Sequence, residues 1–363
     1  MDARTAYFVL ALLPGIGPRR IQALLSVFGG PEKILTAPES ELRKVVGAAC
    51  ATVIARWKRE SAHEEEESLL RQRGWNYLTW ADDAYPALLR QIHSPPLMLE
   101  VWGEVRPEDF PAVAVVGTRR ATPYGRDCAR LLTRGLVESG YTIVSGLALG
   151  IDTVAHEEAM ALGGRTLAVL GSGLADIYPK ENQALAERIA GRGAVLSQYP
   201  CRTQPDARQF PQRNHTVSGM SHGLLVVEGN ARSGSMLTAV AAMEQGRQVF
   251  AVPGPINRQG SIGPHRLIQD GAKLVMTVED MVCELPAPTR SPAVAAIEPA
   301  AFPPDLNGDE LKIYEVLDLE GLSIDSIAKK TDLPSARVSS TLLRLEIRQL
   351  IRKNPGMTFS RRH

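Results

Sequence analysis

The sequence predicts an α/β protein in which a doubly wound parallel sheet lies between a small helical domain and a winged-helix domain. Three observations predict this. Short apolar runs alternate with helical stretches between residues 108 and 285. The residues before them, 1–107, combine helical spacing with a glycine turn. A segment rich in proline and alanine, 286–306, then precedes a last stretch, 307–363, that has its own helical pattern.

The predicted sheet is recognised by six apolar, β-branched runs. These runs are Ala112–Val116, Tyr141–Val144, Thr166–Leu170, Ala194–Leu196, Leu224–Val227 and Gln248–Val252. Between the first two, Cys128, Leu132 and Leu136 recur at helical spacing. Continuous apolar strands separated by helices indicate a parallel sheet covered on both faces, which is a Rossmann-like domain.

The first domain contains the turn Pro14–Pro18 between two helical stretches, a pattern that resembles a helix-hairpin-helix. In such a motif, backbone N–H groups and a helix N-terminus can approach a phosphate. A plain structural hairpin has the same short pattern, and we favour that interpretation.

The last domain is predicted to contain three helices and a hairpin. The helices are expected at Asp309–Leu319, Ser323–Lys330 and Ser335–Glu346, and the hairpin turns at Asn354–Gly356. This order is typical of a winged helix. The third helix carries Arg337 and Arg344, so it could enter a DNA groove or serve as a protein-interaction surface. Both interpretations stay open.

Whole-chain properties exclude several classes of protein. The 363 residues carry a formal net charge of only +1, so any basic surface must be local. The four cysteines are far apart and have no zinc spacing, so we expect no disulfide and no metal site. No leader peptide and no apolar stretch of about 20 residues is evident, so we expect a cytoplasmic protein with no membrane contact.

Glycines and residues with hydroxyl, amide or basic side chains lie in the loops around nearly every predicted strand. These residues are Gly117, Thr118, Arg119, Ser145, Gly146, Lys180, Asn182, Arg213, Asn214, Ser233, Gly234 and Ser235. The carboxyl ends of parallel strands meet at one edge of a sheet. Glycine allows close backbone approach, and hydroxyls and amides donate hydrogen bonds to anions. The pattern predicts an anion site. Tyr178 and Phe210 would either stack a base there or anchor their loops.

Common nucleotide cofactors do not fit this pattern. The first strand is followed by GTRRATPYG, which lacks the GxGxxG of dinucleotide-binding domains, and no GxxxxGK[ST] occurs. We therefore expect no cofactor. Two anions remain, a nucleotide phosphate in a small-molecule enzyme and a nucleic-acid backbone.

Five stretches in the region 110–275 resemble the DprA/Smf family of DNA-processing proteins. They are VAVVGTRRATPYG, IVSGLALGIDTVAH, VLGSGLADIYPKEN, FPQRNHTVSGMSHGLLVVEGNARSGSMLTA and VFAVPGPINRQGSIGPHRLIQDGA. The resemblance implies a bacterial protein that binds single-stranded DNA without sequence preference. It also implies delivery of that DNA to a RecA-type recombinase in natural transformation, without catalysis, and a homodimer through the Rossmann-like domain.

The resemblance assigns the twelve loop residues to the family's phosphate loops, G-S-R, SG, YPxxN, FPxRN and SGS. Two positions depart from these patterns. Thr118 replaces the usual serine and keeps its hydroxyl, and His215 replaces a common second arginine. For the implied dimer, we expect contacts from His265, Ile268 and Leu274, late in the sheet domain.

The best enzymatic alternative is a phosphoribohydrolase of the LOG type, whose PGGxGTxxE motif carries a working glutamate. The equivalent stretch here has no carboxylate between Glu228 and Glu244. A general acid or base is therefore missing where that chemistry needs one. We interpret Asp152 as a helix cap.

Overall fold

The computed structural model describes residues 1–57, 62–288, 306, 308–317, 321–348, 350–354 and 357–361. Contacts divide the chain into two compact units, Met1–Ala295 and Ala296–His363. Most of the predicted linker 286–306 lies outside the described residues. The linker and the boundary between residues 107 and 108 therefore stay predictions.

One mostly parallel sheet of nine strands dominates the described part of the first unit. The strands are β1 (Asn76–Thr79), β2 (Met98–Gly103), β3 (Ala112–Val116), β4 (Thr142–Ser145), β5 (Thr166–Leu170), β6 (Ala194–Ser197), β7 (Gly223–Val226), β8 (Gln248–Ala251) and β9 (Lys273–Leu274). Their order across the sheet is β1-β2-β6-β5-β4-β3-β7-β8-β9. In that order, every pair of neighbouring strands between β6 and β9 is parallel. The predicted doubly wound sheet is confirmed.

The strand order reverses beside β3. From β3 the chain adds β4, β5 and β6 on one side, and it then returns to place β7 on the other side. Loops that leave β3 and β7 therefore diverge and leave a crevice at the carboxyl edge of the sheet. In open α/β sheets this is where ligands bind.

Helices cover both faces of the sheet, as continuous apolar strands require. One face is covered by α6 (Ala87–Arg90), α10 (Gln209–Gly219), α11 (Gly234–Glu244) and α12 (Gln259–Gln269). The other is covered by α7 (Pro123–Glu138), α8 (Ile151–Ala161), α9 (Gln183–Ala190) and α13 (Glu279–Val282). Strand β3 shows the alternation, because Ala114 packs in the first layer and Val115 in the second.

The described part of the first 107 residues contains five helices before β1, the short helix α6 and two strands of the sheet. The helices are α1 (Ala3–Leu12), α2 (Pro18–Phe28), α3 (Pro31–Thr36), α4 (Glu39–Ala55) and α5 (Ala62–Arg73). Buried side chains such as Leu10, Ile21 and Leu42 form a common core of α1 to α4, whereas Leu70 of α5 packs against the sheet. The strands were not foreseen: β2 pairs antiparallel with β6, and β1 pairs with β2. Strand β2 is buried on both faces, but Glu100 interrupts its apolar run, so its sequence shows neither an uninterrupted apolar run nor a regular alternation.

The second unit is a winged helix, as predicted. Its helices are α14 (Gly308–Val316), α15 (Ile324–Thr331) and α16 (Ser335–Ile347), and its strands are β10 (Leu322–Ser323), β11 (Ile351–Asn354) and β12 (Thr358–Arg361). Ile313, Ile327 and Leu342 are among its fully buried side chains. Arg337 on the third helix forms an ion pair with Asp309, at 2.6 Å.

Among the described residues, no helix combines the length and the apolar character needed to cross a bilayer.

A chain ending at Pro288 is expected to fold on its own, because the first unit has its own core. Its melting temperature should lie within about 3 °C of the corresponding transition of the full chain. Differential scanning calorimetry of the two proteins measures this. A truncated chain without a cooperative transition would show that the winged helix is needed for the fold.

Candidate nucleic-acid interface

A cleft of about 320 Å³ opens at the carboxyl edge of the sheet, at the reversal of strand order. Loops after β3, β4 and β7 and the helix α10 form its walls. Its lining residues are Val116, Gly117, Thr118, Arg119, Arg120, Gly146, Ala148, Asp152, Phe210, Arg213, Asn214, Val217, Ser233, Gly234, Ser235 and Thr238. Nine of the twelve residues predicted to bind phosphate are among them. The other three are Ser145, Lys180 and Asn182.

The loop after β3 presents a free cation. Arg119 is exposed, its guanidinium carbon lies 5.4 Å from the centroid of the Phe210 ring, and it forms no ion pair within the described residues. The loop is held in place because the Thr118 N–H donates to the carbonyl of Glu228, at 2.7 Å. A Cβ on Gly117 would lie 2.5 Å from the Ile151 side chain, so this glycine is required by the packing of α8.

The loop after β4 is organised by a buried carboxylate. Oδ2 of Asp152 accepts hydrogen bonds from the N–H groups of Gly146, at 3.1 Å, and Ala148, at 3.4 Å. Asp152 is the second residue of α8, and Gly150 is the residue that precedes the helix. The interpretation of Asp152 as the helix cap is therefore wrong: it binds the preceding loop. Burial raises the pKa of Asp152, and the nearby charge of Arg213 opposes this shift.

Arg213 lies in the floor of the cleft and is almost fully buried. Its Nη1 donates to the carbonyl oxygens of Gly146 and, at 2.7 Å, of Val169. Its Nε donates to Oδ1 of Asn214, at 3.2 Å. Burial lowers the pKa of Arg213, and the charge of Asp152 counteracts this. Arg213 belongs to α10. The FPQRNH segment, which we expected to form a loop, is therefore the start of a helix.

Ser145 and Asn182 lie behind the wall of the cleft. The Ser145 hydroxyl is buried and donates to the carbonyl of Val115, at 2.6 Å. The Asn182 amide is also buried, and its Nδ2 donates to the carbonyl of Leu147 and to the Thr153 hydroxyl, both at 2.8 Å. Both side chains hold loops that shape the cleft, and neither points into it. Their residue types matched the expected site, but burial cannot be read from residue type.

The N-terminus of α11 supplies the opposite wall. The N–H groups of Gly234 and Ser235 donate no hydrogen bond within the described residues, as is usual for the first turn of a helix. The hydroxyls of Ser233 and Ser235 lie 2.7 Å apart beside them. Asn214 joins this wall to α10, because its Nδ2 donates to the Gly234 carbonyl at 3.3 Å. Free amides and the helix dipole together favour an anion.

An aromatic pair lies beside the cleft. The Tyr178 and Phe210 ring centroids are 5.9 Å apart, and both rings line a second cavity of about 40 Å³ with Arg119. Phe210 fills the space in front of Gly171, whose Cβ would lie 2.8 Å from the ring. The Tyr178 ring is 40% exposed. Lys180 lies further out, exposed, with its Nζ 2.6 Å from Asp176.

The carboxylates at and beside the cleft bind the surrounding loops. Asp152 is the one carboxylate among the cleft-lining residues described, and backbone amides occupy it. Glu228 lies outside the lining, and its two oxygens accept from the N–H, at 2.9 Å, and the hydroxyl, at 2.6 Å, of Thr122. The arrangement favours binding of an anion over proton transfer.

The residues expected at a dimer contact lie at the far edge of the sheet. Leu274 is 39% exposed on β9, the edge strand. Ile268 on α12 packs partly against the main core. His265 lies one turn before, and its Nε2 is 2.9 Å from the Gly254 carbonyl oxygen.

Replacing Gly146 with alanine tests how tightly the cleft floor is packed. The new Cβ would overlap the guanidinium of Arg213. We expect a loss of about 1–3 kcal/mol in the free energy of unfolding, measured by urea denaturation. Gly234→Ala is the matched control, since its Cβ meets nothing within 4 Å. Equal stability of the two variants would contradict this account of the floor.

Family comparisons agree with this geometry. The family model described as DNA recombination-mediator protein A matches residues 76–286, and the DprA winged helix domain matches 297–357. Protein Smf of Synechocystis is 36% identical over 80% of this chain and 81% of its own length. DNA processing protein DprA of Streptococcus pneumoniae is 45% identical over 56% of this chain and 72% of its own.

Two solved structures share the fold. DNA processing protein A from Streptococcus pneumoniae aligns with a TM-score of 0.69 and 34% identity, over 79% of this chain and 99% of that one. The protein from Helicobacter pylori, described for its single-stranded DNA binding mode, aligns with a TM-score of 0.52 and 30% identity, over 58% and 94%. With the sheet, the cleft and the winged helix all accounted for, this chain belongs to the DNA recombination-mediator protein A family, the DprA/Smf proteins.

Proposed function

We propose that the cleft binds the backbone of single-stranded DNA without sequence preference and without catalysis. The observation that carries this proposal is a convergence of donors. An exposed, unpaired Arg119 faces the cleft together with the free amides of Gly234 and Ser235. Phosphate contacts position a strand but carry no base information, so such a site accepts any sequence. The described single-stranded DNA binding of the Helicobacter pylori relative supports the choice of ligand.

The residues fall into two groups under this proposal. Arg119, Thr118, Asn214, Ser233, Gly234 and Ser235 offer donors to the phosphate directly. Arg213, Ser145 and Asn182 hold the loops, with Asp152, through their buried hydrogen bonds. Lys180 extends the positive surface beyond the cleft, and its exposed pair with Asp176 is weak enough to exchange for a phosphate. His215 is exposed on α10, outside the cleft lining.

Tyr178 is the better candidate for base stacking. Arg119 and the exposed Tyr178 both line the smaller cavity. A base next to a phosphate bound by Arg119 would therefore lie close to the Tyr178 ring. Phe210 is half-buried, with one edge against Gly171 and both Arg119 and Arg213 near its ring. Aromatic faces stack on any base, so a stacking role keeps binding independent of sequence.

The further steps rest on the family. We propose that the protein acts in the cytoplasm as a homodimer, and that it delivers bound strands to a RecA-type recombinase during natural transformation. A dimer would place two clefts on one strand and raise the affinity for long strands with no new contact.

The central prediction concerns Arg119. Arg119→Ala should weaken binding of all single-stranded sequences alike. The plot of log Kobs against log salt concentration should also become less steep, by roughly 0.7 in slope. Arg119→Glu should be worse, because repulsion is added. Fluorescence anisotropy with labelled oligonucleotides at several salt concentrations measures both effects.

The control for this prediction is Arg188→Ala on α9, another exposed arginine, which should keep the parental slope. The free energy of unfolding of Arg119→Ala should stay within about 0.5 kcal/mol of the parent's. An Arg119 variant that melts early yet binds DNA normally would refute the phosphate contact.

The phosphoribohydrolase alternative predicts release of adenine from AMP. We expect none above the uncatalysed rate, because Asp152 and Glu228 use their carboxylates to bind the surrounding loops. Chromatography of AMP incubated with the protein measures this. Adenine release that disappears in Asp152→Asn would establish the enzyme instead.

The dimer is tested at the edge strand. Leu274→Glu places a charge on an exposed apolar position of β9, and Ile268→Glu places one on a partly buried position of α12. We expect a dimer for the parent and monomers for Leu274→Glu, by light scattering. Leu131→Glu on α7 is the control, 51% exposed on the opposite face. An unchanged dimer in Leu274→Glu would move the interface elsewhere.

A further inference from the structure

Three potential metal ligands converge between the first helices and the sheet, away from the cleft. Glu66 belongs to α5, Glu100 to β2, and Cys201 to the loop after β6. One ligand atom from each lies within 4.8 Å of the other two. They come from distant parts of the sequence, which is why cysteine spacing gave no sign of them.

Glu100 is the unusual member of this cluster. Its side chain has no solvent exposure, and neither carboxyl oxygen has a hydrogen-bond partner within the described residues. A carboxylate in such a place is costly unless a cation or a proton neutralises it. Burial, with a smaller contribution from Glu66, raises the pKa of Glu100 to about 10.

The other two ligands are already oriented toward Glu100. Oε1 of Glu66 accepts from the backbone N–H of Cys201, at 2.6 Å, which fixes that carboxylate beside the thiol. Cys201 is fully buried, and burial raises the pKa of its thiol. Hydrogen bonds that orient ligands in this way are typical of metal centres.

One member of the cluster, Glu66, lines a cavity that is open to solvent. A cavity of about 530 Å³ opens along α5, next to Glu66. Its wall includes Glu64, Glu65, Glu66 and Arg202. The excess of carboxylates would concentrate cations at its mouth.

We propose that Glu66, Glu100 and Cys201 bind one Zn²⁺, with water as the fourth ligand. Two carboxylate oxygens and one thiolate suit Zn²⁺, whereas Mg²⁺ and Ca²⁺ select oxygen ligands alone. In a tetrahedral site, ligands at about 2.0–2.3 Å lie less than about 4 Å apart, so the side chains close in by about an ångström. The Cys201 thiol and the Glu100 carboxyl release their protons to water on binding.

Bound zinc would join α5 to the sheet through β2 and the loop after β6. Because binding adds to folding free energy, the ion acts as a structural staple for this junction. This role is independent of the cleft and of the proposed DNA binding.

The test uses the full chain, stripped with chelator and then titrated with Zn²⁺ against a chromogenic chelator. We expect one ion per chain and a melting temperature that rises by several degrees with excess Zn²⁺ but not with Mg²⁺. Co²⁺ should produce the near-ultraviolet charge-transfer band of a thiolate ligand.

Variants assign the ligands. Cys201→Ser should abolish the cobalt band, and Glu100→Gln and Glu66→Gln should each weaken zinc binding at least about tenfold. Glu64→Gln, an exposed neighbour on α5, and Cys283→Ser, an exposed cysteine, should bind zinc like the parent. Melting in chelator shows whether each variant is folded.

Two outcomes would overturn the proposal. The first is that the parent takes up no zinc and that Glu100→Gln is more stable than the parent in chelator. This result would mean that the buried Glu100 carboxyl only shares a proton with Glu66. The other is a cobalt band that survives Cys201→Ser while disappearing in Cys283→Ser, which would place binding at the exposed thiol.

Discussion

The cleft depends on one buried arginine. Arg213 enters the floor on α10, and its Nη1 donates to carbonyls after β4 and at the end of β5. A buried guanidinium is tolerated only when its donors are satisfied, so the loops must approach it closely. Only a residue without a side chain fits above it, and that residue is Gly146. Asp152 completes the arrangement by binding the amide of the same glycine from below. The shape of the cleft therefore follows from the burial of a charge that is itself almost fully hidden from solvent.

Much of this architecture could be predicted from the sequence because parallel strands are buried on both faces. Ala112–Val116 and Thr166–Leu170 are uninterrupted apolar runs, and their predicted limits match the strands. β2 escaped detection although it is equally buried, because Glu100 interrupts its apolar run and its neighbours pair with it antiparallel. The start of α10 escaped detection because Phe210–His215 contains a proline and no helical apolar spacing; this proline lies within the first turn, where a missing N–H costs nothing.

The candidate site was predictable as a set of loops but not as a set of contacts. Topology brings Thr118, Asn214 and Ser235 to one edge. The sequence indicated this edge because the carboxyl ends of parallel strands meet there, whereas the strand order came from the structure. Whether a polar side chain faces solvent depends on its neighbours. Ser145 donates to β3 and Asn182 to the loop after β4, so two residues of suitable chemistry became structural. Arg119 remained available because the described residues offer it no carboxylate.

The hydrogen-bond donors at the cleft do not change their protonation state near neutral pH. The amides of Gly234 and Ser235 and the hydroxyls of Ser233 and Ser235 have no protonation equilibrium near neutrality, and an arginine stays charged there. Asp152 is the one carboxylate in the described lining, and its Oδ2 is bonded to the loop amides, whereas His215 lies outside the lining. Under the proposed function, these donors would therefore add no pH dependence of their own near neutrality to the binding of a phosphodiester. For a strand bound by these donors, ionic strength would weaken the contact where their protonation would not.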